Sequence, residues 1–206
     1  SINSHKGDYI VSFISDNLEK LNNDLNNDNF YIVDINIAEI YRDQLIKILD
    51  SERVLLIEAT EENKSLDKFP TYVDSLVKAK VRRGQNLVAI GGGIIQDITC
   101  FLASTMMRGL PWFFYPTTLL AQSDSCIGSK SSINSGDIKN ILGTFTPPNK
   151  VIIDVNFLKT LKEKDILSGI GEMIKVHAID SPQRFDQLAK NYDHVKDDLL
   201  LMEKFI

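Results

Sequence analysis

Apolar residues along the chain come in two rhythms. Short continuous runs recur at Phe30-Tyr31-Ile32-Val33, Arg53 to Ile57, Leu87-Val88-Ala89-Ile90, Trp112-Phe113-Phe114-Tyr115 and Lys150 to Ile153. A run of four or five apolar residues without alternation, bounded by turn formers, reads as a strand buried on both faces. Asp8 to Ser15 alternates weakly and reads as an edge strand, and Asn22 to Asn29 is a polar, asparagine-rich linker. Between the strands, apolar positions at helical spacing predict helices over residues 37–49, 65–81 and 94–107, the second with Pro70 early in it. Strand and helix alternate up to about residue 160, which predicts an α/β fold: a doubly wound, mostly parallel, Rossmann-like sheet with helices on both faces. Ligands of such sheets sit at the carboxyl ends of the strands. A further helical pattern spans 163–179, Pro182 interrupts it, and Arg184 to Ile206 reads as the opening of a helical second domain. The expected division is therefore 1–160 and 161–206.

Composition narrows the class. With 206 residues, 43% hydrophobic and 25% charged, the chain has the profile of a globular protein. A net charge of −5 argues against a nucleic-acid surface, and no apolar stretch reaches membrane-spanning length. Two cysteines, Cys100 and Cys126, suggest a reducing compartment rather than a disulfide scaffold, so a cytoplasmic protein is expected.

The centre of the chain is Leu87 to Asp97, where the apolar run meets Gly91-Gly92-Gly93 and a helix pattern begins. Glycine lets the chain turn sharply and lets a ligand approach the backbone, and a helix start favours an anion such as a pyrophosphate. The alternative is a tight strand-to-helix turn with no ligand. Asp34 and Asn36 follow a strand, where either residue caps the next helix or a carboxylate accepts from a ribose. Thr117 and Thr118 offer hydroxyls to a ribose or phosphate, or simply close a Pro-Thr turn. Asp97 falls in or just past a first helical turn, which suits the dipole alone. Glu58 to Lys68 reads as a solvated charged loop. Gly169 and Gly171 each cost a helix roughly 0.5–1 kcal/mol, which suggests close packing against them.

From Gly91 onward the order Gly-Gly-Gly-x-x-x-Asp97, Met107-Arg108-Gly109, Pro116-Thr117-Thr118-Leu119-Leu120-Ala121-Gln122-x-Asp124-Ser125, Gly128-x-Lys130-x-x-Ile133-Asn134, Lys139-Asn140 and Gly171-Glu172-x-x-Lys175 resembles the 3-dehydroquinate synthase family of sugar-phosphate cyclases. Glu61-x-x-Lys64 resembles a further element of that family, with Thr60 where the family has glycine. The resemblance implies a redox-neutral reaction. A sugar-phosphate hydroxyl is oxidised at bound NAD, phosphate is eliminated, the hydride returns, and an intramolecular aldol closes a carbocycle. That is a carbon–oxygen lyase of the shikimate route to aromatic amino acids.

For this chain the resemblance implies NAD contacts at Asp34, Asn36, Glu61, Lys64, Gly91, Gly92, Gly93, Asp97, Thr117, Thr118, Lys139, Phe157 and Thr160. It implies catalytic or substrate-binding roles for Arg108, Asp124, Lys130, Asn140 and Lys175, and a metal role for Glu172 toward Zn2+ or another divalent ion such as Co2+. The expected partners are a small sugar phosphate and, when full length, a second copy in a homodimer, with neither nucleic acid nor membrane. An isolated Glu-x-x-Lys is usually a surface ion pair, but Glu172 and Lys175 stand among Ile170, Met173 and Ile174. His177, five residues after Glu172, lies about 140° around the helix, and neither His5 nor His194 stands in a ligand motif. The zinc site is therefore expected to be incomplete here, and the chain to be the NAD-binding portion of a longer enzyme. Gln96, Ser129 and Ser135-Gly136-Asp137-Ile138 depart from the family pattern and point to a related sugar phosphate as substrate. The alternatives are an iron- or zinc-dependent polyol dehydrogenase and a non-catalytic NAD-binding relative.

Overall fold

The computed structural model describes every residue except Asp16, Asp24 and Asn26. Asp24 and Asn26 belong to the stretch read as a linker, so that part of the expectation lies outside the described residues. Six parallel strands form the central sheet: β1 (Ile10–Phe13), β2 (Asn29–Asp34), β3 (Val54–Ile57), β4 (Asn86–Gly91), β5 (Trp112–Pro116) and, after a separate hairpin, β8 (Lys150–Ile153). Their order is β1-β8-β5-β4-β2-β3. β1 is an edge strand, paired in parallel with β8.

The continuous apolar runs are explained by burial on both faces. Phe30, Ile32, Leu87, Ala89 and Phe114 face one core, shared with α4 (Phe69–Lys78) and α5 (Gly93–Thr105) through Leu76, Ile98 and Leu102. Tyr31, Val33, Val88 and Ile90 face the other, with α1 (Asn17–Asn23), α2 (Ile35–Ile40) and α3 (Arg42–Leu49) contributing Leu18, Ile37, Leu45 and Ile48. Each strand thus sends alternate residues to opposite layers. β2 pairs with β3 on one side and β4 on the other, and the helices that follow β2 and β4 cover opposite faces. This is a topological switch point, and the chain parts into a crevice at the carboxyl ends of those two strands.

Three details differ from the pattern. The helix expected over 37–49 is two helices broken at Tyr41, whose ring packs edge-on against Phe157 at 5.3 Å. The helix expected from Ser65 starts at Phe69, with Pro70 in its first turn, where a missing N–H costs nothing. Residues 130–145 form an antiparallel hairpin, β6 (Lys130–Ser135) and β7 (Ile138–Phe145). Nothing in the apolar rhythm announced β7, because Ile138, Ile141, Leu142 and Phe145 are all exposed and do not alternate.

Beyond residue 160 the chain is helical: α6 (Glu163–Asp180), α7 (Pro182–Val195) and α8 (Leu199–Phe205). Ser181 caps α7 by accepting from the Arg184 N–H, and Pro182 opens its first turn. These helices have their own apolar cluster, Ile170, Met173, Leu188, Val195 and Met202, but it includes Leu119, Val155 and Leu158 from the α/β layer. The helical part is therefore seated on the loops at the carboxyl end of the sheet. No helix among the described residues is long and apolar enough to cross a membrane.

Candidate functional site

The crevice at the switch point is a cleft of about 670 Å³. On the β2 side Asp34 has both of its expected roles available: its carboxylate accepts from the Asn36 backbone N–H at 3.0 Å and caps α2, and both residues line the cleft. Burial pushes the Asp34 carboxyl up, against the lowering pull of its hydrogen bonds to Asn36. On the β4 side the three glycines do different things. A Cβ on Gly91 would lie 2.6 Å from Ile95 Cγ1, and one on Gly92 would lie 3.0 Å from Thr118 Cγ2. Gly93 opens α5 and lines the cleft itself. The first two glycines thus let the chain pack on itself, and the third leaves the helix start open to the cleft.

Thr117 and Thr118 at the end of β5 line the cleft. Thr118 Oγ1 accepts from the Ala121 N–H at 3.2 Å. Thr117 is 1% exposed, and its hydroxyl has no hydrogen-bond partner among the described residues, an orphaned polar atom at a cleft wall.

Lys64 ties the cleft together. It is 5% exposed, and its Nζ reaches Asp97 Oδ2 at 3.2 Å, Asn140 Oδ1 at 3.0 Å and Glu61 Oε1 at 3.5 Å. Asp97 also accepts from the Ser132 N–H at 3.0 Å. Burial raises the Asp97 carboxyl despite these partners, whereas the bond from Asn134 leads the causes that hold Glu61 below the usual carboxylate range. The hairpin that the sequence did not announce therefore carries much of the site. Lys130 at its start lines the cleft, and Asn140, in a left-handed conformation (φ 55°), turns its amide to Lys64.

At the α6 end Asp124, Glu172 and Lys175 come together. Lys175 is ion-paired with Glu172, and Asp124 is hydrogen-bonded to Glu172. Burial first, then the bond and charge of Glu172, raise the Asp124 carboxyl; Lys175 first, then Asp124, lower Glu172. α6 comes this close because Gly169 lets it: a Cβ there would lie 2.5 Å from Leu119 Cβ. Gly171 faces open space instead, so only one of the two helix glycines is explained by packing.

Several expected residues do not line the cleft: Asp124, Glu172 and Lys175 form their own cluster, Asn140 reaches it only through Lys64, and Arg108, Phe157 and Lys139 lie elsewhere. Arg108 follows α5, which runs the length of the sheet, so it lies near the amino end of β5, opposite the crevice. Phe157 is buried in the second core against Tyr41, and Thr160 nearby lines the cleft in its place, bonded to the Tyr41 hydroxyl at 3.1 Å. Lys139 lies in a shallow outer groove beside Glu61, Asn134 and Asp137. Ser129, read as bordering the substrate, does not line the cleft, whereas Gln96 does, donating to Ser125 O at 2.5 Å and accepting from Ser125 Oγ at 2.6 Å. Lys162, Asp165 and Ser168 also line it, and the sequence carried no signal for them beyond their place at the start of α6.

The residues do not fit a metal centre by themselves. Among the described residues no three His, Cys, Asp or Glu side chains are grouped to hold an ion, and Glu172 already has Lys175. His177 is buried, its Nδ1 2.9 Å from Met173 O and its ring against Phe205.

A doubly wound parallel sheet, with a glycine-opened helix and a capping aspartate flanking its switch point, is a Rossmann-like nucleotide fold. Residues 54–168 match the family model of the 3-dehydroquinate synthase N-terminal domain, and the chain belongs to that family. It is 41% identical over 170 residues to the 3-dehydroquinate synthase of Dehalococcoides mccartyi, covering 81% of this chain and 47% of that protein. It is 37% identical over 168 residues to that of Bartonella bacilliformis, covering 80% and 45%. The chain thus spans about half the length of the curated relatives it matches. Its fold superposes on 2-epi-5-epi-valiolone synthase from Streptomyces hygroscopicus subsp. jinggangensis 5008, solved with NAD+ and Zn2+ bound. The TM-score is 0.84 at 26% identity, covering 100% of this chain and 61% of that one. Glycerol dehydrogenase from Schizosaccharomyces pombe shares the fold at TM-score 0.58 and 20% identity, covering 82% of this chain and 42% of that one.

Proposed function

We propose that this chain is the NAD-binding part of a cytoplasmic, homodimeric sugar-phosphate cyclase of the 3-dehydroquinate synthase type. The observation that supports this reading best is convergence. The loop at 61–64, the start of α5, the Thr117–Thr118 loop, Lys130 of the hairpin and the start of α6 come from separate parts of the chain and line one crevice, and Asn140 is tied to it through Lys64. The cleft fits a dinucleotide. Its volume is adequate, the α5 start is open at Gly93, and the buried Thr117 hydroxyl lacks a partner among the described residues.

In this reading Asp34 and Asn36 take a ribose, and the α5 start with Thr117 and Thr118 takes the pyrophosphate. Lys64 and Asp97 border the reacting ring. NAD, when bound, supplies hydride acceptance and return. Lys130 and Lys175 hold the substrate's anionic groups, Asn140 orients a hydroxyl, and Asp124, whose carboxyl burial and the neighbouring Glu172 push up, exchanges a proton with substrate oxygen. The described residues of this chain do not complete a metal site by themselves. The full-length protein, given NAD and a seven-carbon sugar phosphate, should release inorganic phosphate with no net NADH. Net NADH from an unphosphorylated polyol, without phosphate release, would overturn the proposal in favour of a dehydrogenase.

A further inference from the structure

Four residues close a ring at the outer wall of the cleft, through three side chains and both the side chain and backbone N–H of Asn140. Glu61 Oε1 lies 3.5 Å from Lys64 Nζ, and Lys64 Nζ donates to Asn140 Oδ1 at 3.0 Å. The Asn140 N–H donates to Asn134 Oδ1 at 2.9 Å, and Asn134 Nδ2 returns to Glu61 Oε2 at 3.0 Å. Lys64 and Asn140 carry roles in the proposed function and Glu61 lines the cleft; Asn134 carries none. We propose that Asn134 is a positioning residue that sets the cofactor-side carboxylate of Glu61 and the substrate-side amide of Asn140 in one fixed geometry.

Asn134 is built into this place. The hairpin register breaks between Ile133 and Ser135. The Asn134 N–H goes instead to Lys64 O at 2.9 Å, and Asn134 pairs with Ser65 as an isolated parallel bridge. Such irregularities re-aim side chains beside functional sites. The residue is 5% exposed, and Nδ2 donates to Glu61 O as well, at 3.1 Å. Its partners leave no freedom in the amide's orientation, since a carboxylate demands a donor and an N–H demands an acceptor. Asparagine alone meets both at this reach: aspartate would oppose Glu61, leucine would leave both partners bare, and glutamine is a methylene longer.

The Asn140 end matters because Asn140 has φ 55°, a conformation that a non-glycine residue keeps only when its surroundings hold it. Its Oδ1 also accepts from Ser132 Oγ at 2.9 Å, so its backbone is anchored by Asn134 and its side chain by Lys64 and Ser132. At the other end the bond from Asn134 is the largest cause of the lowered Glu61 carboxyl. Lys64, Lys139 and Asp97 are the other charged groups that act on Glu61, with Glu62 and Asp67 bordering the same outer groove.

The proposal rests on the cleft taking NAD and is tested so that the two can fail separately. Asn134→Asp keeps the acceptor for the Asn140 N–H and replaces the donor to Glu61 by a second carboxylate. Two carboxylates in contact raise one folded-state pKa, so the variant keeps its stability at low pH and loses it as pH rises through that value. Compared with wild type run in parallel, Asn134→Asp should bind NAD at least about tenfold more weakly near pH 8 and recover most of the loss near pH 5.5, where the pair shares a proton. Its melting midpoint should fall over the same interval. Adding Glu61→Gln restores a donor opposite the new carboxylate, and the double variant should melt without that pH dependence. The double variant also decides the case in which Asn134→Asp does not fold at either pH. Equal loss at both pH values, or no loss of NAD affinity near pH 8, would overturn the positioning role. A wild-type chain that binds no NAD would overturn the reading of the cleft. A midpoint for Asn134→Asp that follows wild type across the range would overturn the Glu61–Asn134 link whatever NAD does.

Discussion

Gly169 sits against Leu119 so closely that a Cβ on the glycine would lie 2.5 Å from both Cβ and Cγ of the leucine. Leu119 immediately follows Thr117 and Thr118, and Gly169 stands one turn before Glu172, so this contact sets the approach of the α6 carboxylate to the loop after β5. The obstructing atoms belong to the root of the leucine side chain and cannot swing aside.

Gly169→Ala should therefore destabilise the chain by roughly 1–3 kcal/mol through overpacking, despite the gain of up to about 1 kcal/mol in helix propensity. Gly171→Ala, in open space on the same helix, should stabilise it by about 0.5–1 kcal/mol. Urea unfolding of the two variants checks both signs, and the same sign for both would contradict the packing described.

Lys64→Met removes the cation that serves Asp97 and Glu61. Breaking a buried pair from one side costs roughly 3 kcal/mol. The Asp97 carboxyl is already raised in the fold by burial. A raised carboxyl contributes stability while protonated and loses it as pH climbs through its folded value. Without Lys64 that value rises further, so the deficit of the variant against wild type should be small near pH 4 and should grow toward pH 7. Denaturant titrations at the two pH values measure it. A deficit that shrinks with rising pH would show that Lys64 does not stabilise an ionised Asp97.

Thr117→Val exchanges a buried hydroxyl without a partner among the described residues for a methyl of similar size. Removing an unsatisfied polar group should leave the ligand-free chain as stable or up to about 1 kcal/mol more stable. If the hydroxyl serves the cofactor, NAD affinity should fall about tenfold, a loss of about 1.4 kcal/mol. Thermal melts with and without NAD separate the two effects. Lower stability without NAD would mean that the hydroxyl has a structural partner.

The sheet was legible because Leu87 to Ile90 and its counterparts are buried on two faces and so are apolar throughout. The start of α5 was legible because three consecutive glycines end a strand. β7 was illegible for the opposite reason: its apolar residues face solvent and keep no period. The break at Tyr41 is hidden inside a continuous helical pattern, since it depends on a tertiary contact with Phe157. Motif order along the chain does not say at which end of the sheet a residue falls, and Arg108 shows this, because α5 carries it to the amino end. Asn134 was visible only as a letter in a motif; its place between Glu61 and Asn140 follows from a register break that no spacing rule announces.

The most direct measurement is calorimetric titration of NAD into the wild-type chain and into Gly92→Val. A side chain at position 92 starts 3.0 Å from Thr118 Cγ2, so valine displaces the threonine loop at the open start of α5 rather than reaching past it. One NAD should bind per wild-type chain, and the variant should bind at least about tenfold more weakly, a difference of about 1.4 kcal/mol or more. No saturable heat with the folded wild-type chain, or equal affinity in the two proteins, would contradict the assignment of the β2–β4 crevice to the cofactor.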